Sequence, residues 1–245
     1  MIREGLGYTP SGYDALRPSK RWDDCFVISW DLTDSTRKVQ QSRTGYRGYW
    51  SAQSSLMIRV IPNLPFPPDV TLPTGDGFLL VFDLGRAGGE GYVTKEARRD
   101  MVIPILRKIL EYQEFLQGWP KTRVGPASNP YLCGRFGVAS GEIEVYTPLK
   151  RAGGTWMMPV GEPFFRTKRL QAAAPTGGAL VEECLIPDDA EPVINIRGED
   201  HPFTWLQRTK EEVSLKGFEL PVEVWRFAPK PSTREIQEAL YRGDL

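Results

Sequence analysis

The chain has 245 residues, and its 31 basic and 31 acidic side chains balance to a formal net charge of zero. Proteins that wrap duplex nucleic acid usually carry a basic excess, so this composition argues against that class of partner. No apolar run reaches the roughly 18 residues that a membrane-spanning helix needs, and the N-terminus lacks the apolar core of a signal peptide. We therefore expect a cytoplasmic globular protein with neither a nucleic-acid nor a membrane partner.

The N-terminal part is predicted to contain an irregular segment, one strand and two helices. Residues 1–22 are polar and rich in turn formers, which predicts an extension packed on the domain. The apolar run 25–31 predicts a strand. Segment 34–41 begins with good N-cap residues and continues with helix formers, and a second helix is predicted over about 46–60.

A proline-rich stretch separates these elements from a predicted hairpin. The prolines of 61–73 exclude a helix and argue against a central strand. The Gly-Asp-Gly sequence at 75–77 precedes the apolar strand 78–83, and Asp-Gly at a hairpin tip is a strong local signal. Apolar residues at helical spacing then predict a long amphipathic helix over about 95–116.

The middle of the chain predicts a second hairpin and a helix. The hairpin covers 131–146, with its turn at the Gly-Glu pair 141–142. The helix spans about 162–174 and is stopped by the proline and glycine that follow. A short strand is predicted at 179–181.

Two strands near 203–207 and 222–227 and a C-terminal helix at 231–241 complete the predicted elements. Strands and helices thus occur in a mixed order along the chain. This order predicts an α+β fold, in which helices pack on a mixed or antiparallel sheet.

The cysteines and the histidine offer little for a metal cage or a nucleophilic triad. Cys25, Cys133 and Cys184 match no zinc-binding spacing, and their odd number argues against a disulfide framework, so we expect buried thiols in a reducing compartment. His201 is the only histidine and is predicted to lie in a polar loop. A Ser-His-Asp triad is therefore not expected.

Two aspartates lie where apolar strands end or begin. Asp31 closes the strand 25–31, and Asp76 lies in the turn before the strand 78–83. A carboxylate at the edge of a buried strand is costly unless something compensates its charge, and a hard divalent cation does so well. Two such carboxylates on adjacent strands predict a two-metal site for phosphoryl or nucleotidyl transfer.

The segment after Asp31 joins a strand end to a helix start. The backbone amides around Asp34, Ser35 and Thr36 would face outward at the helix N-terminus and favour a phosphate group. A plainer interpretation stays open, in which Asp34 is only an N-cap and Asp31 only a turn residue. Likewise, Asp76 fits a type I′ turn without function.

The order of the motifs resembles the catalytic domains of class III nucleotidyl cyclases, the adenylate and guanylate cyclases. Five motifs follow one another along the chain. They are an aspartate-bearing strand with the following helix start (27–36), a Gly-Asp hairpin (74–78), an Arg-Phe-Gly strand ending in glycine (135–142), a glycine-started helix with an arginine (161–170) and a Leu-Lys-Gly segment (215–217). The resemblance covers about residues 25–228. It implies a cyclase domain over 25–228, an extension over 1–24 and a C-terminal helix or tail over 229–245.

The resemblance implies a ferredoxin-like βαββαβ core with extra strands and a head-to-tail homodimer with composite active sites. Asp31, Asp76 and the backbone carbonyl of Leu32 are implied to bind two divalent ions, Mg²⁺ or Mn²⁺. The nucleotide-binding residues implied next to them lie at the helix start: Thr33, Asp34, Ser35 and Thr36.

Two cations are implied to come from the partner chain. Arg169 would stabilise charge on the α-phosphoryl group while the ribose 3′-hydroxyl displaces pyrophosphate, and Lys216 would meet the terminal phosphates. The residues themselves leave another interpretation open, because each also fits an ordinary solvated surface.

The chain departs from the purine cyclases at the positions that select the base. Leu72 and Met158 replace polar side chains and cannot read a base edge by hydrogen bonds. Phe165 replaces the asparagine that commonly orients the ribose. Tyr46 and Tyr49 are candidates for a base pocket, although aromatic residues at helical spacing are usually core residues.

Loss of the purine selectors in a compact cyclase resembles the pyrimidine cyclases of bacterial Pycsar anti-phage defence. That resemblance implies a lyase that makes cyclic UMP from UTP. The alternatives are a cyclase specific for CTP or a purine nucleotide, and an inactive domain that binds nucleotide without turnover. A diguanylate-type enzyme is disfavoured, because no Gly-Gly-Asp/Glu-Glu-Phe segment is present.

Overall fold

The computed structural model of the chain describes the residues 18–32, 58, 60–74, 77–85, 94, 97–110, 134–146, 158–186, 193–196, 199–202 and 206–229. Four predicted elements lie wholly or mostly outside these ranges. They are the N-terminal extension, the helices predicted at 34–41 and 46–60, and the C-terminal helix.

One large sheet organises the described chain, in the strand order β2-β3-β1-β4-β6-β10-β9, with the short β5 paired to β4 beside this path. Neighbouring strands are antiparallel except for β4 and β6, which are parallel. A separate two-stranded hairpin is formed by β7 and β8. The strands are β1 Lys20–Leu32, β2 Val70–Pro73, β3 Gly77–Asp83, β4 Gly134–Tyr146, β5 Met158–Val160, β6 Ala179–Glu182, β7 Val193–Ile196, β8 Glu199–Pro202, β9 Leu206–Val213 and β10 Val222–Pro229.

The central strand β1 is buried on both faces. Phe26, Ile28 and Trp30 belong to the core on one face, and Cys25 and Val27 belong to the core on the other. A strand covered on both faces reads as a continuous apolar run rather than as an alternation of apolar and polar residues. This is why its sequence pattern was recognisable.

Among the described residues, one helix packs on each face of the sheet. The first helix, α1, is described over 97–110 and packs Val102, Ile105 and Ile109 into the core that contains Phe26 and Trp30. The second helix, α2 (Glu162–Ala173), packs on the opposite face against β4 and β1. In the part of the chain that the structure describes, neither helix is long and apolar enough to cross a bilayer.

The helix α2 is fixed to the sheet at its beginning and in its middle. Near its start, Arg166 Nε lies 3.0 Å from the carboxylate of the buried Glu182, which also accepts a hydrogen bond from the backbone amide of Ser140. Burial raises the pKa of this Glu182 carboxyl, while Ser140 and Arg166 oppose the rise. In the middle, Thr167 Oγ1 donates to the backbone carbonyl of Val27 at 3.1 Å. The helix therefore has one defined rotation about its axis.

Glycine at position 137 lets α2 approach the sheet closely. A Cβ atom at this position would lie 2.2 Å from the carbonyl oxygen of Thr167 and 2.4 Å from the backbone nitrogen of Gln171. Both neighbours are backbone atoms of the helix and cannot rotate away. The close approach sets which residues of α2 face the end of β1.

We expect Gly137→Ala to lower the free energy of unfolding by about 1–3 kcal/mol, the usual cost of overpacking a core. Urea unfolding followed by circular dichroism measures this change. The control is Ala173→Ser at an exposed position of α2, which should change stability by no more than about 0.5 kcal/mol. Equal stability of Gly137→Ala and wild type would contradict the close packing.

The hairpin predicted at 131–146 is wrong, because Gly134–Tyr146 is one continuous strand. Gly141 has φ 143° and lies opposite Cys25, where the register of β1 shifts between Trp22 and Cys25. The glycine thus accommodates a bulge in the neighbouring strand, and β4 continues past it to pair Val145 with Lys20. In the sequence alone, a glycine inside a strand has the same signature as a glycine in a turn.

Several other predicted elements are confirmed, some with changed ends. The hairpin around 75–77, the helix at 162–174 and the strands at 179–181 and 222–227 are present. By contrast, β1 already begins at Lys20, and the strand predicted near 203–207 is described over 206–213.

Two predictions about single side chains also need correction. Cys25 is buried, and burial raises its thiol pKa, but Cys184 is exposed rather than buried as predicted. His201 lies in β8 opposite Ile194, not in a loop. Cys133 lies outside the described residues.

Candidate active site

The end of β1 places Asp31 between two neighbouring strands. Its cross-strand partners are Gly77 at the start of β3 and Arg135 near the start of β4. Side chains alternate along a strand, so Asp31 lies on the face that carries Val27 and α2, not on the face of Trp30. The half-buried carboxylate therefore faces the helix.

The hairpin of β2 and β3 brings its turn to the same place. The amide of Thr74 donates to the carbonyl of Gly77 at 2.9 Å and closes the hairpin. A Cβ atom at Gly77 would lie 2.0 Å from the carbonyl oxygen of Trp30, so only glycine fits beside β1 here. Asp76 lies outside the described residues, but its chain neighbour Gly77 is directly opposite Asp31.

Two side chains of α2 reach this strand end. Gln171 Nε2 donates to Asp31 Oδ2 in a long hydrogen bond of 3.4 Å, and Gln171 is only 4% exposed. One turn earlier, Lys168 Nζ donates to Thr74 Oγ1 at 3.4 Å. The inner face of the helix thus contacts both the carboxylate and the hairpin.

A further cation lies beside the carboxylate. Arg135 is directly opposite Asp31 in register, and its Nη1 donates to the carbonyl of Ala172 at 3.2 Å. Cross-strand neighbours have Cβ atoms about 4.5–5.5 Å apart, so the Arg135 and Asp31 side chains begin next to each other on the face that α2 covers. The sequence marked Arg135 only as part of a strand motif, because its position opposite Asp31 depends on the register.

Arg169 is not brought to Asp31 within the chain. It is exposed on α2, whereas Thr167 and Gln171 on either side of it are buried. Residues two apart on an α-helix point about 200° apart, so Arg169 faces away from the sheet. Phe165, one turn before Arg169, is 66% exposed on the same outer face.

Lys216 is exposed in the turn between β9 and β10. Its neighbour Leu215 is buried in the same apolar cluster as Leu170 and Ala174 at α2, and Gly217 takes the left-handed conformation with φ 90°. The turn is therefore held at the side of α2, while Lys216 extends into solvent.

The remaining predicted site residues divide into described and undescribed positions. Leu32 is buried at the end of β1, and Leu72 is half-buried on β2 opposite Leu79. The undescribed group comprises Thr33, Asp34, Ser35, Thr36, Tyr46, Tyr49, Asp76 and the side chain of Met158. Their roles stay predictions.

The donors at this site suit a hard cation. The Asp31 carboxylate and the Leu32 carbonyl are oxygen donors, which Mg²⁺ and Mn²⁺ prefer. Over the residues that the structure describes, no group of three or more His, Cys, Asp or Glu side chains could hold a metal ion, so Asp31 is the one described carboxylate of the implied site. The chemistry of the donors present thus fits the implied ions.

No protein-family profile matches the sequence, and a search of curated proteins finds no relative. Solved structures do match. The adenylyl cyclase CyaB from P. aeruginosa is 13% identical with a TM-score of 0.60, covering 88% of this chain and 97% of that one. The guanylyl cyclase Cya2 is 17% identical with a TM-score of 0.60, covering 89% and 97%.

A third match is the catalytic core of a rhodopsin-guanylyl cyclase with converted specificity in complex with ATPαS. It is 14% identical with a TM-score of 0.55, covering 86% of this chain and 98% of that one. At these identities the likeness shows the fold. The predicted α+β class III cyclase fold is therefore confirmed, whereas the activity has to be argued from the site.

Proposed function

We propose that the chain is a metal-dependent nucleotidyl cyclase. The observation that carries this proposal is the arrangement of charges around α2 on a cyclase fold. Asp31 lies at the inner face of the helix beside the Gly-Asp hairpin, and Arg169 is presented on the outer face. The carboxylate at the end of β1 would form one half of a composite phosphoryl-transfer site, and the outward-facing arginine of a second chain would form the other half.

In the proposed reaction, the ribose 3′-oxygen forms a bond to the α-phosphorus while the bond from the α-phosphorus to the bridging oxygen breaks. The hydroxyl proton passes to solvent, and pyrophosphate leaves. Asp31 and Asp76 would hold Mg²⁺ or Mn²⁺, whose charge would lower the pKa of the hydroxyl and neutralise the triphosphate. Arg135, opposite Asp31 in the sheet, would be a further cation for a phosphate oxygen.

The partner chain completes the proposed site. Because Arg169 faces away from the sheet, it cannot stabilise charge at the Asp31 of its own chain. In a head-to-tail homodimer, Arg169 would instead reach the α-phosphoryl group in the partner's groove, and Lys216 would meet the terminal phosphates.

We further propose UTP as substrate and cyclic UMP as product, which makes the chain a uridylate cyclase. Leu72 and Met158 occupy the positions where purine cyclases read the base, and neither side chain forms strong hydrogen bonds. The base would then be held by other groups, with Tyr46 and Tyr49 as candidates. The resemblance to Pycsar enzymes supports a role as the signal producer of cytoplasmic anti-phage defence.

The test is incubation with each of the four labelled nucleoside triphosphates plus Mn²⁺, followed by separation of the products. We expect cyclic UMP to form at least about 10-fold faster than the other products, a difference that pocket contacts readily supply. A faster cyclic CMP or purine product would overturn the base assignment. Nucleotide binding without any product would overturn the enzymatic proposal in favour of an inactive binding module.

A further inference from the structure

The two faces of α2 carry different parts of the proposed machinery. The outer face presents Arg169 to solvent, and the inner face contacts Asp31 and Thr74 of the same chain. Resting on the proposed function, we infer that Gln171 is a positioning residue that holds Asp31 of its own chain for metal binding. The helix would thus serve its own groove through Gln171 and the partner's groove through Arg169.

The first argument is the geometry of the Gln171 amide. It donates to Asp31 Oδ2 and so orients the carboxylate at the end of β1. Carboxylates that bind metals are commonly oriented by such a hydrogen bond, and removal of the donor typically weakens metal binding about 10–100-fold. A buried glutamine at this position is otherwise costly, since its polar amide is taken out of water.

The second argument is that Gln171 cannot easily move away from Asp31. Its backbone nitrogen lies against Gly137, where even a single Cβ atom would be 2.4 Å away. The hydrogen bond from Thr167 to Val27, one turn earlier, fixes the rotation of the helix. The amide is therefore held at the strand end by the packing of α2.

The third argument is the contact one turn before Gln171. Lys168 binds Thr74, two residues before Asp76 in the hairpin. The inner face of the helix therefore contacts both chain segments that bear the candidate carboxylates. A movement of α2 would therefore displace both segments together.

The first experiment measures Mn²⁺ binding without substrate, by electron paramagnetic resonance of the free ion. Gln171→Met keeps the size and removes the donor, and we expect it to weaken Mn²⁺ binding about 10-fold. The control is Ala173→Met, which introduces the same residue on the exposed side of the same helix and should leave the affinity unchanged. If Gln171→Met does not fold, Gln171→Asn keeps the amide but is too short to reach Asp31, and the same weakening is expected.

The second experiment places Gln171→Met on chosen chains of a mixed dimer. An Asp76→Ala chain paired with an Arg169→Ala chain has one intact groove, made of the carboxylates of the Arg169→Ala chain and the arginine of the other. Gln171→Met on the Arg169→Ala chain should lower activity about 10-fold. On the Asp76→Ala chain it lies in the groove that is already inactive and should have no effect.

The outcomes separate this inference from the proposed function. Unchanged Mn²⁺ affinity of Gln171→Met, or equal loss of activity from both placements, would overturn the positioning role while leaving the cyclase proposal intact. If the parental mixed dimer makes no product, the composite site is wrong. The Mn²⁺ titration then decides alone whether Gln171 positions Asp31.

Discussion

Replacement of Asp31 or Asp76 by alanine is expected to abolish pyrophosphate release. Removing one preorganised donor from a transition state costs about 10²–10³-fold, and a lost metal ligand removes a larger charge, so we expect a decrease of about 1,000-fold or more. A coupled pyrophosphate assay with UTP and Mn²⁺ measures the rate. Thermal unfolding shows whether each variant remains folded.

The control for these variants is Asp23→Ala. Asp23 lies on the same strand as Asp31 but near its other end, where its side chain is 85% exposed. An exposed charge of this kind contributes little to stability, so the rate should stay at the wild-type value. Unchanged rates for both Asp31→Ala and Asp76→Ala would refute the metal assignment and with it the cyclase proposal.

Much of the fold could be predicted because local and long-range signals agree. The apolar run of β1 and the Asp-Gly hairpin after the prolines each indicate one structure, and the structure contains both. The hairpin prediction for β4 is wrong because Gly141 lies opposite a bulge in β1 and not in a turn. A bulge opposite a glycine depends on the partner strand, which a local pattern does not contain.

The sequence alone indicates the acidic residues of the candidate site, but only some of its other residues. Asp31 stands out as a carboxylate at the end of an apolar run. Arg135 and Gln171 join it through the register of β4 and the rotation of α2, respectively, and neither is visible in the order of the residues. The one sequence signal for Gln171 is a polar residue among the apolar positions of the inner helix face, and such residues are common.

The second large effect is expected from mixing two inactive variants. Asp76→Ala should lack metal-dependent activity, and Arg169→Ala should lack charge stabilisation in the transition state, so each homodimer should be nearly inactive. Random exchange gives about one half mixed dimers, each with one intact groove of two, and hence about a quarter of the wild-type rate per chain. Two differently tagged chains, purified in tandem, allow the rate to be measured on mixed dimers alone.

The control mixes Asp76→Ala with the double variant Asp76→Ala/Arg169→Ala, which leaves no intact groove and should show no recovery. The structure allows only one way for Arg169 to act in this test. Thr167 and Gln171 hold α2 so that Arg169 faces away from Asp31 of the same chain. Unless α2 rotates about its axis, Arg169 can therefore act only in the groove of a neighbouring chain. Inactivity of verified mixed dimers would therefore mean that the composite site is wrong and that Arg169 is needed by its own chain. An Arg169→Ala homodimer with the wild-type rate would instead mean that Arg169 is an ordinary surface residue, and Arg135 would then be the first candidate to stabilise the charge on the α-phosphoryl group.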